Sequence, residues 1–544
     1  MFIFEFVSYQ QLGLAIFVSI LNAFILCFIS YRLLHIFQLS GYKTRNYVKW
    51  VADRRSKFYI RLFSLSVLSF GSMFIVNILF NQFKDINYLS YLGLVFYFYL
   101  AIVFIASIWQ APTKVSLKLT SRVKRLLALL FVVCMCLTYF IIWLGSREPF
   151  LRFSLVAFIP MVLPFIMLLC NYLLWPIEST IRVGFIGKAK LKLRKPEFAN
   201  LIRIGITGSY GKTSCKNILA AMLESKYSVA ASPSSFNTPM GFTKTVNNIL
   251  TEGNDVLIFE MGARYPNDIK YLAKLFKAKH GILTSIGPQH IETFGNIENI
   301  KRAKSDLLRA LPKEDGMAIV NGDSEKCMEA FNELELVNKF ASSITKMAKD
   351  IKITQEGCEF TLKLDGENPV KCVTRLLGKH NIENIIMCAM LANKMGVSAG
   401  DIAIAISRLA PTPHRLELVK ADNGLLILDD SYNASPGGTV AALEVLSLFK
   451  GKKVVMTPGL VELGIKQDEE NFKFGVRLAR VADKVIVVNE LNKSAITDGL
   501  KSQSFPMENI YTVKTLEEAK AVYTIILKAG DVLLIENDLP DNYL

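Results

Sequence analysis

The stretch LIRIGITGSYGKTS, residues 201–214, decides the fold of the second part of the chain. A β-rich run ends in a glycine-rich turn, and the polar residues after the turn open a helix. The backbone N–H groups of such a turn, backed by a helix N-terminus, form a site for phosphate oxygens. We expect Lys212 to reach the terminal phosphates and Thr213 to offer its hydroxyl to magnesium. The full Walker spacing is absent because Ile206 stands where its first glycine would be, so a plain glycine-rich turn is the alternative.

Further β-rich runs alternate with helical stretches downstream of this turn. Such alternation predicts a parallel sheet flanked by helices. A second series of β-rich runs follows the proline-marked segment APTPH at 410–414, which predicts a domain boundary there. The runs are 201–207, 256–261, 281–286 and 317–320 in the first series, and 425–430, 453–458 and 484–489 in the second.

The first 175 residues are strongly apolar and predict an α-helical membrane domain. Five apolar runs each approach the ~20 residues that cross a bilayer as a helix. The first run is expected to be a retained helix, because no Lys or Arg precedes it and no small-residue cleavage site follows it. A buried helical bundle in a soluble protein is the alternative. The runs cover about 11–31, 60–80, 88–110, 125–145 and 151–175.

The net charge of +16 falls entirely within residues 1–200, which hold 22 Lys and Arg against 6 Asp and Glu. Basic residues crowd every second segment between the apolar runs, whereas 81–87 carries only Lys84 and 146–150 only Arg147. The positive-inside rule then predicts an outer N-terminus, a multi-pass protein of the inner (cytoplasmic) membrane, and a cytoplasmic second half. Lipid headgroups account for this charge, so nucleic acid is not needed as a partner. The basic segments contain Arg32, Lys43, Arg45, Lys49, Arg54, Arg55 and Lys57; Lys114, Lys118, Arg122 and Lys124; and Arg182, Lys188, Lys190, Lys192, Arg194 and Lys195 in the predicted juxtamembrane linker 176–200.

Seven short motifs follow the phosphate loop in a fixed order. In that order they resemble the Mur ligase family, whose phosphate loop has the shorter form seen here from Thr207, and most closely its MurF branch, which adds D-alanyl-D-alanine to a peptidoglycan precursor. The resemblance spans about 201–544. The motifs are Phe259-Glu260-Met261-Gly262, Gly287-Pro288-Gln289-His290, Ala303-Lys304, Asn321-Gly322-Asp323, Gly378-Lys379-His380-Asn381-Ile382-Glu383-Asn384, His414-Arg415 and Asp429-Asp430-Ser431-Tyr432-Asn433-Ala434.

The resemblance implies a central ATP-binding domain at 201–412 and a Rossmann-like α/β domain at 413–544. It also implies a reaction in which ATP phosphorylates a carboxylate and an amine attacks the acyl phosphate, with ATP and magnesium as cofactors. The expected partners are a carboxylate acceptor from cell-wall synthesis, in soluble or lipid-linked form, and an amino acid or dipeptide. Two half-sites on two domains imply that closure belongs to the reaction cycle.

The resemblance also assigns roles to single residues of this chain. Arg415 would meet the γ-phosphate through its fork-shaped guanidinium, Asp430 would lie near the ribose and that arginine, and Asn381 and Asn384 near the adenine. The catalytic set is Lys212, Lys304, His290, Arg415 and Asp430. The ATP-binding set is Gly208, Ser209, Tyr210, Gly211, Lys212, Thr213, Ser214, Asn321, Asn381, Asn384, Arg415 and Asp430. The metal set is Thr213, Glu260, His290 and Lys304, the last as a carbamate.

Lys304 can also be placed by the period of its own helix. It lies on the apolar stripe of NIENIKRAKSDLLRAL, where an uncompensated lysine would be costly to bury. In Mur ligases the matching lysine is carbamylated and helps to hold magnesium, which is the hypothesis here. The stripe is Ile300, Ala303, Leu307, Leu308 and Leu311, and the residues predicted on the opposite side are Lys301, Arg302, Ser305 and Arg309.

Two departures from the family pattern concern the substrate pockets. The family's MurF carries a separate N-terminal domain for the uridine nucleotide, and the residues between Trp175 and Leu201 are too few to form one. Ser435 stands where the family has an asparagine, before a proline expected to open a helix, and 457–464 reads TPGLVELG. The amine and acceptor pockets are therefore expected to differ.

Two other functions remain open at the level of the sequence. One is a Mur-type ligase with another acceptor, such as a poly-amino-acid or a surface glycan. The other is a membrane P-loop ATPase or transporter. The apolar runs contain few charges or glycine and proline breaks, apart from Pro160 and Pro164, and this argues against a transport path.

Overall fold

The computed structural model describes residues 9–52, 57–80, 86–109, 116–144, 154–234 and 236–538. These residues divide into two compact units between Ile181 and Arg182. Residues 1–8, ahead of the first apolar run, lie outside the described residues. So do five of the basic residues on which the predicted topology rests: Arg54, Arg55, Lys84, Lys114 and Arg147.

The first unit is helical, and each of the five apolar runs overlaps a helix. Within the described residues, four stretches are long and apolar enough to cross a membrane: Leu12–Ile29, Phe58–Val76, Ser121–Leu144 and Leu155–Lys192. The third run contributes the shorter apolar helix Leu92–Ser107. Membrane insertion itself stays a prediction. The α-helices are Tyr9–Ile29, Tyr31–Leu39, Thr44–Ala52, Phe58–Phe80, Ile86–Trp109, Ser121–Leu144 and Ile159–Lys192, the last extending through most of the predicted linker.

Three polar side chains inside the helical unit are hydrogen-bonded to one another. Asn22 donates from Nδ2 to Thr138 Oγ1 at 3.0 Å, and the Tyr97 hydroxyl donates to Asn22 Oδ1 at 2.8 Å. All three side chains are fully buried. Three different helices are thereby joined, which is the way interhelical hydrogen bonds are used in membrane bundles.

The second unit begins with a six-stranded, entirely parallel sheet in the order β2-β3-β1-β4-β5-β6. The strand order reverses around β1, and ligands of open α/β sheets bind at such a switch point, beyond the carboxyl ends of the strands. Helices cover both faces, as predicted. The strands are β1 Ile202–Thr207, β2 Val229–Ala231, β3 Val256–Glu260, β4 His280–Leu283, β5 Met317–Asn321 and β6 Asn338–Ser342.

A small antiparallel sheet of three strands follows, and the sequence did not predict it. Its first and last strands are partly exposed and carry lysines among their apolar residues, so no β-rich run marks them. The strands are β7 Ala348–Ile353, β8 Cys358–Leu362 and β9 Val370–Thr374.

A second six-stranded sheet has the order β10-β11-β15-β12-β13-β14. All its pairs are parallel except the edge pair β10 and β11. The last strand returns to the middle of the sheet, so the carboxyl ends of β11, β15 and β12 lie side by side. The strands are β10 Glu417–Lys420, β11 Leu426–Asp430, β12 Lys453–Thr457, β13 Lys484–Val488, β14 Ile510–Val513 and β15 Val532–Glu536.

The helix that follows β11 begins as predicted. Ser435 is its N-cap and accepts a hydrogen bond from the Gly438 backbone N–H at 3.1 Å, and Pro436 is its first residue. The other α-helices of the second unit are Lys212–Leu223, Pro239–Asn248, Asp268–Phe276, Ile291–Phe294, Ile297–Arg309, Glu325–Asn332, Ile344–Met347, Lys379–Lys394, Ala399–Ser407, Gln467–Val481, Lys493–Lys501 and Leu516–Ile526.

Candidate active site

The predicted phosphate loop joins β1 to the helix Lys212–Leu223 at the switch point of the first sheet. Gly211 ends the loop with φ +77°, a conformation that favours glycine. The loop is fastened to the segment that follows β4: the Tyr210 N–H donates to Ser285 Oγ at 2.8 Å, and the Gly287 N–H donates to Ser209 Oγ at 2.9 Å. A Cβ at Gly208 would collide with Thr284 in the same segment. The loop is thus held in one shape by its neighbours.

Two lysine ammonium groups converge on one carbonyl of this loop. Lys212 Nζ donates to Gly208 O at 2.8 Å and to Ser209 O at 3.1 Å, and Lys304 Nζ donates to the same Gly208 O at 2.9 Å. Among the described residues, no carboxylate oxygen lies within 4.0 Å of either ammonium. The loop therefore gathers two lysine amino groups that no described carboxylate contacts.

Burial of these two lysines shifts their protonation. It lowers the pKa of Lys212 to about 8, and Arg415 adds to this effect while Glu260 opposes it. It lowers the pKa of Lys304 well below the usual lysine range, with a further contribution from the charge of Lys212. Both shifts indicate a site that stabilises an added anion.

The helix that carries Lys304 confirms the predicted inward orientation. The helix spans Ile297–Arg309, and Lys304 is 2 % exposed among Ile300, Ala303 and Leu307. The prediction that Ser305 lies on the opposite side is wrong. Ser305 is fully buried because its short side chain folds back and donates to the Lys301 carbonyl at 2.8 Å.

An oxygen pair lies beside the loop at the end of β3. Thr213 Oγ1 donates to Glu260 Oε2 at 2.8 Å, and Asn237 Nδ2 donates to Glu260 Oε1 at 3.1 Å. Glu260 is buried and is the register partner of Ile206 on β1. A hydroxyl and a carboxylate are ligands that magnesium prefers, so these residues fit the ion expected with ATP. Ser214 follows in the first turn of the helix.

His290 does not join that pair. Its Nδ1 hydrogen-bonds instead to Glu462 Oε2, a carboxylate from the segment after β12. Within the described residues, no group of three or more His, Cys, Asp or Glu is arranged to hold a metal ion. Of the four predicted metal ligands, Thr213 and Glu260 are in contact, Lys304 touches the loop, and His290 faces the second sheet.

Arg415 brings the second sheet to the phosphate loop. Its guanidinium lies 4.0 Å from the ring centroid of Tyr432, and it is close enough to Glu260 and Asp430 for their charges to act on its pKa, which burial lowers. The residues on both sides of Arg415, His414 and Leu416, have left-handed backbone, with φ of +62° and +49°. Such strained positions concentrate at functional sites.

The half-buried Asp430 ends β11 beside the buried carboxyl group of Glu536, which ends β15 and is its register partner. Asp430 accepts a hydrogen bond from the Leu416 N–H at 3.1 Å. Glu536 is fully buried, and among the described residues neither of its carboxyl oxygens has a hydrogen-bond partner. Burial raises the pKa of Asp430 to about 6 and raises the pKa of Glu536 well above the usual range.

The three asparagines predicted to bind ATP are held within the fold. Asn381 Nδ2 donates to the Leu377 carbonyl at 2.9 Å, and the Cys215 thiol donates to Asn384 Oδ1 at 3.2 Å. A Cβ at Gly211 would come within 2.7 Å of Asn384 Oδ1, so this side chain packs against the phosphate loop. Asn321 accepts from the Asp323 N–H at 3.0 Å at the end of β5. Their contact with a nucleotide stays a prediction.

Four residues of the site were not singled out from the sequence. Tyr432 and Glu462 lie inside motifs noted in the sequence, so their position in those motifs could have identified them. Asn237 follows the sequence SPSSF at 232–236, and Glu536 ends a strand without any pattern around it. Pairing across two sheets, which joins Glu462 to His290, leaves no trace in a single sequence.

Comparison with known proteins identifies both halves of the second unit. A family model described as the Mur ligase middle domain matches residues 206–392, and one described as the Mur ligase, glutamate ligase domain matches residues 414–536. Together they cover more than half of the 544 residues.

Proteins of similar sequence agree with the assignment of both halves to Mur ligase domains. UDP-N-acetylmuramoyl-tripeptide--D-alanyl-D-alanine ligase of Bacillus subtilis is 29% identical over 347 residues, which are 62% of this chain and 75% of that protein. The enzyme of the same name from Escherichia coli is 28% identical over 336 residues, 60% of this chain and 74% of that one.

Two solved structures share the fold. MurF from Acinetobacter baumannii has a TM-score of 0.60 at 23% identity, covering 66% of this chain and 78% of that one. MurF ligase from Thermotoga maritima in complex with ADP has a TM-score of 0.58 at 24% identity, covering 66% and 80%. With both family models matched in order across the two sheets, the chain belongs to the Mur ligase family and is a MurF-like, ATP-dependent ligase.

Proposed function

We propose that this protein is a membrane-anchored amide ligase that activates a carboxylate with ATP and joins it to an amino acid or dipeptide, with D-alanyl-D-alanine as the first candidate. One observation carries the proposal. The buried Lys304 and the half-buried Lys212 meet at a phosphate loop where no described carboxylate contacts them, beside the hydroxyl of Thr213 and the buried carboxylate of Glu260, a pair suited to magnesium. A triphosphate with its divalent ion supplies the charges that such a site needs.

In this proposal, the domains 201–412 and 413–544 each contribute half of the site. The loop N–H groups and Lys212 hold the terminal phosphates, and Arg415 reaches the γ-phosphate from the other half. Thr213 and Glu260 would hold magnesium, which when bound offsets charge between the phosphates and the approaching carboxylate. Phosphoryl transfer to the carboxylate gives an acyl phosphate and ADP. Attack by an uncharged amine then forms the amide and releases phosphate.

Lys304 fits the carbamate hypothesis through its burial. Carbon dioxide reacts with an uncharged amine, forming a C–N bond and releasing one proton, and the lowered pKa of Lys304 favours that amine. The product is an anion beside Lys212. It would complete the set of oxygen ligands around the ion that Thr213 and Glu260 begin.

The acceptor is proposed from the names of the relatives and from the first unit. The relatives named above act on a UDP-N-acetylmuramoyl-tripeptide. In this chain, helices precede the ligase domains, so we propose a cell-wall precursor of this chemistry, presented at the membrane in soluble or lipid-linked form.

Membrane anchoring is supported by the outer surface of the helical unit. Large apolar side chains point outward from several of its helices, including Phe17, Leu68, Ile102 and Tyr172, each more than half exposed. Apolar patches of this extent mark a lipid or protein contact. We expect the full chain to stay in the membrane fraction after washing with alkaline carbonate. Release into the supernatant would contradict anchoring.

The activity is tested with the full chain in detergent, supplied with ATP, magnesium, D-alanyl-D-alanine and candidate acceptors. Phosphate release and product mass are followed together. The proposal expects phosphate release that requires both acceptor and amine, with a product heavier by the dipeptide less water. Phosphate release that ignores every carboxylate and amine but responds to a transported solute would contradict it.

A further inference from the structure

Glu462 connects the two sheets at the candidate site. It lies in the segment after β12, with left-handed backbone at φ +64°, and its side chain is about one quarter exposed. Its Oε2 is hydrogen-bonded to His290 Nδ1, and its Oε1 lies 3.7 Å from Arg264 Nη2. His290 follows β4 and Arg264 follows β3. One carboxylate from the second sheet thus contacts two loops at the carboxyl edge of the first.

The two loops are also bonded to each other next to this contact. The Thr293 hydroxyl donates to the Arg264 carbonyl and, at 2.9 Å, to the His290 carbonyl. His290 itself has left-handed backbone, φ +54°, at the start of a single helical turn. Short-range helical structure therefore does little to fix this residue, and its ring depends on side-chain partners for its orientation.

The hydrogen bond fixes which ring nitrogen of His290 can bind a ligand. An ionised carboxylate only accepts, so Nδ1 must carry the hydrogen and Nε2 keeps the free lone pair. Histidines that bind metals commonly donate their other N–H to a carboxylate in this way, which sets both tautomer and ring direction. Docking of the second sheet delivers that carboxylate.

We infer that Glu462 is a positioning residue for the magnesium site: it holds the His290 ring with Nε2 available, so that the site is complete only when the two sheets are docked. This inference rests on the proposed function and on the expectation from the family resemblance that His290 is a metal ligand. It makes ion binding and domain docking mutually dependent.

The test measures metal binding, without turnover. The full chain in detergent is titrated with Mn²⁺ in place of Mg²⁺, in the presence of a non-hydrolysable ATP analogue, and free Mn²⁺ is followed by electron paramagnetic resonance. We expect Glu462→Gln to weaken Mn²⁺ binding about tenfold or more, the usual effect of removing a carboxylate partner of a ligating histidine. The matched control is Glu469→Gln, an exposed carboxylate of the same domain that pairs with Lys473; it should stay within about twofold of the unsubstituted protein.

A double-mutant cycle separates positioning from direct ligation. Because Glu462 acts through His290, adding Glu462→Gln to His290→Ala should weaken Mn²⁺ binding no further. Effects that add in full would overturn the inference, and so would unchanged binding in Glu462→Gln. If Glu462→Gln unfolds at a lower temperature, Glu462→Asp serves as the second variant: it keeps the charge, fails to reach the ring, and should show the same loss. Absence of Mn²⁺ binding by the unsubstituted protein would instead overturn the proposed function, and this inference with it.

Discussion

The two halves of the candidate site bury opposite charges. On the first sheet, Lys212 and Lys304 place two ammonium groups at one carbonyl of the phosphate loop. On the second sheet, Asp430 and Glu536 place two carboxyl groups on neighbouring strand ends. Burial lowers the pKa of both lysines and raises the pKa of both acids, so each half shifts toward its uncharged form.

The two halves differ in the group that can neutralise the buried charge and so remove its free-energy cost. A buried charge without a partner is unfavourable, and folding tolerates it where a ligand supplies the partner. In the first half that partner is an anion, and the loop is already shaped for phosphate. In the second half a proton suffices, and Glu536 is too deeply buried to meet a ligand directly. The first half therefore has the properties of a ligand-binding site. The second half serves to position Arg415.

The largest expected effect comes from removing the amino group of Lys212. Lys212→Met should reduce ATP-dependent phosphate release at least about a hundredfold, because the phosphates lose a cation that the site holds in place. The measurement is acceptor-dependent phosphate release together with ATP binding. Lys313→Met, which removes an exposed lysine paired with Glu335, is the matched control and should retain activity. If Lys212→Met were as active as Lys313→Met, the first half would not be the phosphate-binding half of the site.

Lys304→Ala comes next, with a loss of about a hundredfold in turnover if the residue acts as a carbamate near the phosphates. The carbamate can be tested without substitution as well. Removing dissolved carbon dioxide should lower the activity of the unsubstituted protein, and bicarbonate should restore it. Activity that does not depend on carbon dioxide, together with full activity of Lys304→Ala, would show that this buried lysine only supports the fold.

Arg415→Lys tests the contribution of the second half. We expect a loss of about tenfold in kcat/KM, because a lysine keeps the charge but loses the fork-shaped contact and the stacking on Tyr432. The control is Arg408→Lys, at an exposed position just after the helix Ala399–Ser407. If Arg415→Lys behaves like its control, the second half does not reach the phosphates through this residue.

The smallest effect concerns stability and reports on Glu536. A carboxyl whose pKa is raised on folding weakens folding as pH rises from its unfolded value, near 4.5, toward its folded value. Glu536→Gln should therefore unfold at a temperature about 2–4 °C higher than the unsubstituted protein at pH 8. At pH 4 the Glu536 side chain is protonated and, like the glutamine that replaces it, uncharged. The two proteins should then unfold at the same temperature. A lower unfolding temperature at pH 8 would mean that the carboxylate has a partner in solution.

Much of this architecture could be predicted from the sequence, because local patterns determine it. The buried parallel strands are continuous apolar runs, and Ser435-Pro436 marks a helix start. The inward position of Lys304 follows from helix period alone. The three-stranded sheet β7 to β9 was missed because its partly exposed strands β7 and β9 carry lysines among their apolar residues. Ser305 was misplaced because a small hydroxyl can bond its own helix and be buried.

The site was harder to predict than the fold. Lys212 and Thr213 were predicted from the phosphate-loop pattern, and Glu260 from the family resemblance together with its position at a strand end. The bond between His290 and Glu462 depends on how two sheets pack, and the pairing of Asp430 with Glu536 depends on the last strand returning to the middle of its sheet. Neither relation is encoded in spacing along the chain.

The central claim is that ATP bound at the phosphate loop transfers its γ-phosphoryl group to the carboxylate of the acceptor. The most direct measurement uses an acceptor whose carboxylate is labelled with ¹⁸O, with ATP, magnesium and D-alanyl-D-alanine, and mass analysis of the phosphate released. An acyl phosphate intermediate predicts that each phosphate carries one oxygen from the acceptor. Phosphate whose added fourth oxygen comes from water would contradict the account, because ATP would then be hydrolysed without activating the carboxylate.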